Sequence, residues 1–221
     1  MSDDASTDVA PTADEAESGR GHWIEIAAAA LLGIAAVLTA YAAYNGALAG
    51  GDALKGYTQS SRTTADANGY YNDYSQTYSA DQALFLQYRL LVLKGDQESA
   101  DEIKDTMFSD ELTAATDAWL QQPNDDNAMA TPLGMKEYVV QAFIDAEQLT
   151  DQANQEFADA QKIDDQGDNF DLAAVYLAVS LFFAGMAALF RVRRLQLVML
   201  GLGGVLLLPG LYAIAQGKGW M

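Results

Sequence analysis

LAAVYLAVSLFFAGMAALF (172–190), RVRR (191–194) and LQLVMLGLGGVLLLPGLYAIAQG (195–217) follow one another directly, and neither apolar run holds an Asp, Glu, Lys or Arg. A bilayer core about 30 Å thick is crossed by roughly 20 apolar residues of helix. Each run is therefore long enough to span, and the four residues between them allow only a tight turn. A third charge-free run, 26–51, follows Trp23-Ile24-Glu25. The sequence predicts an all-α integral membrane protein with transmembrane helices over 23–51, 172–190 and 195–217.

The turn fixes the threading. Short loops rich in arginine stay in the cytoplasm, so Arg191, Arg193 and Arg194 place residues 191–194 inside. Residues 1–22 are then cytoplasmic, while residues 52–171 and the tail 218–221 are extracytoplasmic. A cleavable signal begins with a basic flank and a short apolar core. Here an acidic leader precedes a longer run, so the first run reads as an uncleaved span. Trp23, Tyr212 and Trp220 fall near the expected interfaces, where amphipathic rings prefer to lie. Pro209, inside the third span, lacks a backbone donor and is expected to kink that helix.

Charge is segregated in the same way. The chain carries 12 Lys+Arg against 31 Asp+Glu, a formal net charge of −19. Residues 1–22 hold six acids and one base, and residues 52–171 hold 24 acids and seven bases. Nucleic acid is not an expected partner, because a phosphate backbone needs clustered Lys and Arg. The excess of Asp over Glu, 22 to 9, fits a salty exterior. Zero cysteines exclude disulfides, thiol nucleophiles and Cys-bearing metal sites, and His22 as the one histidine excludes a multi-His site. No cofactor is expected. Residues 1–22, low in hydrophobicity and acidic, read as a disordered tail.

The extracytoplasmic segment reads as an antiparallel helical hairpin. Ala67, Tyr71, Tyr74, Tyr78, Asp81, Phe85, Tyr88 and Val92 recur at spacings of three and four along a helix over 52–94, which Gly95 ends. A second helical piece covers 98–122 up to Pro123, followed by the loop Asn124-Asp125-Asp126-Asn127. A third helix covers 135–164 with Val139, Phe143, Ala146, Thr150, Ala153, Phe157 and Ala160 on one stripe, and Gln166-Gly167-Asp168-Asn169 is expected to interrupt before the second span. There is no alternating strand pattern of useful length and no Gly-rich phosphate loop.

Several constellations invite a functional reading beside a plainer one. Tyr71, Tyr74, Tyr78 and Tyr88 form either an interaction face or hairpin core, and heptad spacing favours core. Ala42, Gly46 and Gly50 line one face of the first span, and Gly201 and Gly204 offer a matching surface, because small residues let helices approach closely in lipid. Asp164, Asp165, Asp168 and Asp171 suggest calcium, but the spacing does not fit an EF-hand loop and a solvated collar is the simpler reading. Glu25 lies at an interface, where a carboxylate snorkels.

WIEIAAAALLGIAAVLTAYAAYNGAL (23–48) and NFDLAAVYLAVSLFFAGMAALFRVRRLQLVMLGLGGVLLLPGL (169–211) together resemble a group of uncharacterised bacterial three-span membrane proteins. The resemblance implies the architecture and brings no activity. Nothing pairs a nucleophile with a base, so the expected function is non-enzymatic: an envelope scaffold or interaction module, forming a homo-oligomer or binding a membrane-protein partner. The alternative is a small oligomeric channel or transporter accessory subunit. A ligand sensor using the tyrosine face is a third possibility.

Overall fold

The computed structural model describes residues 13–123 and 128–219. Among them are five α-helices, α1 (Ala13–Lys94), α2 (Gln97–Met107), α3 (Asp110–Leu120), α4 (Gln141–Leu189) and α5 (Arg193–Gly217), one 3-10 turn (Pro132–Gly134) and no strand. Three of the helices, α1, α4 and α5, are long and apolar enough to cross a membrane. The chain divides into two compact units, residues 1–55 with 159–221 and residues 56–158. The loop 124–127, Trp220 and residues 1–12 of the acidic tail lie outside the described residues. Residues 13–22, expected to be disordered, belong to α1 instead.

The unit that holds the apolar runs is packed through small residues. Ala28, Ala35 and Ala42, seven apart on α1, are all at most 1% exposed. On α4, Phe170, Leu177 and Ala184 are buried at the same interval, and α5 answers with Gly217, Gly210 and Gly203. A Cβ added to Gly217 would lie 2.9 Å from the Phe170 ring, and one on Gly210 would lie 2.9 Å from Leu177 Cγ. One on Gly203 would lie 3.1 Å from the Ser180 carbonyl and 3.5 Å from the Ala184 nitrogen. Side-chain knobs on α4 thus enter glycine holes on an antiparallel α5. Buried Ser180 donates its hydroxyl to the Gly203 carbonyl at 2.7 Å, satisfying the one polar group in that seam. Close packing of small residues and such bonds are how helices associate where apolar attraction between them is weak. The assigned helix α5 runs through Pro209 to Gly217.

One detail of the expected helix map is corrected in this unit. Gln166-Gly167-Asp168-Asn169 does not break the chain, and α4 runs through it. Gly167 is buried, and a Cβ there would meet Ala49 Cβ at 3.3 Å and the Gly46 carbonyl at 3.7 Å. The glycine serves close approach of α1 and α4 rather than a turn. Asn169 remains compatible with helix because its amide donates back to the Asp165 carbonyl.

In the other unit the part of α1 after Gly56 packs antiparallel on the start of α4. Tyr57 meets Phe157 with ring centroids 5.2 Å apart, and Tyr71 meets Phe143 at 6.1 Å. Between them buried Ser60 donates to the Ala153 carbonyl and Thr63 donates to Glu156. The far end widens into an aromatic core around Phe85, Tyr88, Ala100 and Leu112. Gly95, at φ 79°, ends α1 as expected, with its N–H on the Val92 carbonyl and that of Asp96 on the Leu91 carbonyl. This is the paired-bond stop that only glycine takes without strain. The piece expected over 98–122 is two helices, because Ser109 caps α3 by accepting the Leu112 N–H. The helix expected from 135 starts at Gln141, so Val140 is buried and Val139 stays 49% exposed.

Candidate functional site

The tyrosine stripe is committed to contacts inside its own unit. Tyr74 lies 5.0 Å from Phe143, Tyr78 lies 6.1 Å from Tyr138 and Tyr88 lies 5.7 Å from Phe108, all between ring centroids. Tyr88 is buried, whereas Tyr71, Tyr74 and Tyr78 are half-buried. The plainer reading of Tyr71, Tyr74, Tyr78 and Tyr88 as hairpin core accounts for these rings.

Asp81 sits in the middle of that stripe and is 3% exposed. Its Oδ2 accepts from the Tyr138 hydroxyl at 2.9 Å and from the Ser109 hydroxyl at 3.0 Å. A buried carboxylate is tolerated where hydrogen bonds replace water. The node ties α1 to the α2–α3 corner and to the segment preceding α4. Burial, aided by the bond to Asp81, pushes the Tyr138 hydroxyl well above the ordinary tyrosine range. The bond to Asp117 likewise raises Lys104.

A group that holds its proton more tightly when folded stabilises fully below its unfolded pKa, about 10 for tyrosine. That stabilisation is lost as pH climbs above this value, because the unfolded chain releases the proton first. The full chain in micelles is expected to lose melting temperature above about pH 10, and Tyr138→Phe to flatten the loss relative to its own value at pH 8. Equal losses in both proteins would show that Tyr138 is not the group responsible.

On the outer side of the same helical stretch runs a second apolar stripe that sequence reading missed. Ala83, Leu86, Leu90 and Leu93 follow spacings of three, four and three, and Leu86, Leu90 and Leu93 are 60%, 48% and 74% exposed. With Phe85 and Leu133 they line a groove of about 630 Å³. The Arg89 guanidinium lies 4.8 Å over the Trp119 ring, which is held in turn by its indole N–H on the Met129 carbonyl. The spacing signal was present in the sequence. It was hidden because residues 84–93 carry an inner and an outer apolar face at once.

The remaining expected residues fall as follows. Ala42 is in the core of its unit, and Gly46 faces Phe170 and Asp171. Gly50, Gly201 and Gly204 have open space where a Cβ would stand, so the close surface of α5 is Gly203, Gly210 and Gly217, not the expected Gly201 and Gly204. Gly201 lies two residues before Gly203 and Gly204 one after it, about 200° and 100° around the helix, which is why neither meets α4 as Gly203 does. Arg191 lies in the turn between α4 and α5, Arg193 and Arg194 open α5, and all three are exposed.

A family model described as Domain of unknown function (DUF4337) matches residues 25–216, which takes in the unit 56–158 whole and most of the other, with the three apolar runs complete but for residue 217. No curated protein and no solved structure matches the chain.

Proposed function

From the premise that the chain belongs to the DUF4337 family, an uncharacterised one, we propose a non-enzymatic envelope protein, held in the cell membrane by three helices and presenting a docking face on its extracytoplasmic unit. The arginine turn supports this orientation, with residues 1–22 cytoplasmic and 52–171 outside. The observation that carries the docking role is the exposed Leu86, Leu90 and Leu93 stripe on α1. Leucines at such spacing form the seam of a helix pair.

Charge selects the occupant. Residues 82–95 hold no acid in a chain of net −19, but they do hold Arg89 and Lys94. With Ala83 and Leu90 at the a positions, Arg89 falls at g and Lys94 at e. Among the described residues neither makes an ion pair. Two copies in one membrane would pack in parallel and oppose Arg89 to Lys94. A partner helix with an apolar seam and carboxylate flanks satisfies both cations.

The test uses the full chain in micelles and a synthetic helix with Leu at a and d and Glu at e and g. The peptide is expected to bind, its Lys-flanked counterpart to bind at least about tenfold more weakly, and Leu90→Asp to abolish binding. Sedimentation supplies the opposite arm. A dimer disrupted by Leu90→Asp would give the face to a second copy, and failure of both peptide and self-association would end the docking reading.

A further inference from the structure

The groove beside the leucine stripe has a second wall, formed by Thr131 and Leu133. That wall is tied down from the end of α3. Gln122 pairs with the Met129 backbone on both sides: its amide donates to the carbonyl and its oxygen accepts the N–H, each at 2.8 Å. The Trp119 indole N–H donates to the same carbonyl, also at 2.8 Å. A carbonyl oxygen has two lone pairs, and these two donors use both. Trp119 is thus fixed at its nitrogen, while its ring meets Phe85 edge-on with centroids 5.4 Å apart. The two contacts together set the plane of the indole.

That ring carries Arg89, whose guanidinium lies 4.8 Å from its centroid. Arg89 is half-buried, flanks the leucine seam and makes no ion pair among the described residues. Arginine meets a ring through the face of its guanidinium and a carboxylate through its N–H edge, so the two contacts do not compete. A long side chain loses rotamer freedom when it pairs, and one already placed loses less. Lys94, the other cation of the seam, has neither a ring contact nor an ion pair among the described residues. A partner must order it on arrival.

We infer that Trp119 is the positioning residue that sets specificity at this face. It holds Arg89 ready for a carboxylate of the partner helix, and so makes the groove choose acidic flanks over basic ones. It acts through Arg89 and is not itself among the residues lining the groove. The inference rests on the docking reading of the leucine face and adds to it which of the two cations discriminates, and why.

The experiment uses the full chain in micelles with the Glu-flanked and Lys-flanked synthetic helices, and reads the ratio of their affinities. The wild-type ratio is expected to be about tenfold or more. Trp119→Leu should cut it about two- to fivefold, the range of an exposed cation–ring contact. Trp119→Phe keeps a ring and gives up the indole N–H, and should hold the ratio within about twofold. Arg89→Lys should lose as much as Trp119→Leu, because an ammonium has no separate face and edge. The effect of Trp119→Leu on the ratio should vanish in the presence of Arg89→Gln and persist in the presence of Lys94→Gln, a coupling that a merely structural Trp119 cannot give. A ratio unchanged by Arg89→Lys overturns the inference, whether or not Trp119→Leu folds. So does a Trp119→Leu chain that binds both peptides more weakly by the same factor. Either result leaves the docking reading in place, whereas a wild-type chain that binds neither peptide overturns both.

Discussion

Asp81→Ala will destabilise the helical unit over residues 56–158 by about 2–4 kcal/mol, the largest single effect expected there. The carboxylate is 3% exposed and accepts two hydroxyl bonds, from Tyr138 at 2.9 Å and Ser109 at 3.0 Å. Alanine leaves both hydroxyls without that acceptor beside the Tyr78 ring and the core around Phe85 and Tyr88. Each buried donor left unmade costs about 1–3 kcal/mol. Ser109 retains one role, because its oxygen still accepts the Leu112 N–H that caps α3. The node does more than satisfy itself: it pins three chain segments, α1, the α2–α3 corner and the segment before α4, in a single register. Unfolding of the full chain in micelles, followed by Trp119 fluorescence, measures the cost. The double variant Asp81→Leu with Tyr138→Phe should recover at least half of it, since a well-packed apolar pair leaves one hydroxyl fewer to satisfy. A loss below about 0.5 kcal/mol for Asp81→Ala would mean that water already reaches the site.

Much of this architecture is written in charge and periodicity. The charge-free runs 26–51 and 195–217 fall inside helices and 172–190 does so to within one residue, as long apolar runs of this length predict, even though the last of them contains Pro209-Gly210. Gly95 is legible for the same local reason, since a left-handed stop needs glycine. The errors come where one residue type serves two purposes. Gly167 looked like a break and is a contact surface, which only the proximity of Gly46 and Ala49 reveals. The helix expected over 98–122 runs through Ser109, although Ser followed by Asp110 and Glu111 is a capping signal. The docking face was invisible for another reason. Periodicity marks both Phe85 and Leu86 as apolar helix positions, and only exposure separates the buried ring from the leucine that is 60% accessible.

The second large effect is expected at Gly210. Gly210→Leu should destabilise the packing of α5 on α4 by about 1–3 kcal/mol, whereas Gly204→Leu, six residues away, should cost nothing measurable. A Cβ at Gly210 alone would stand 2.9 Å from Leu177 Cγ and 3.0 Å from its Cδ2, and Leu177 is 0% exposed, so it has nowhere to retreat. At Gly204 the same atom meets nothing within 4 Å. A leucine there faces the surroundings of the helix and gains the roughly 1 kcal/mol by which glycine is the poorer helix former. Composition and hydropathy are identical in the two variants, which isolates packing from insertion. Unfolding in mixed micelles at rising SDS fraction reads the difference. Adding Leu177→Ala to Gly210→Leu moves the bulk from one helix to the other and should restore more than half of the loss, a coupling that additive effects cannot give. Equal behaviour of Gly210→Leu and Gly204→Leu would leave the seven-residue series Gly203, Gly210 and Gly217 without a structural role. The α4–α5 hairpin would then have to be held by something other than knobs in glycine holes.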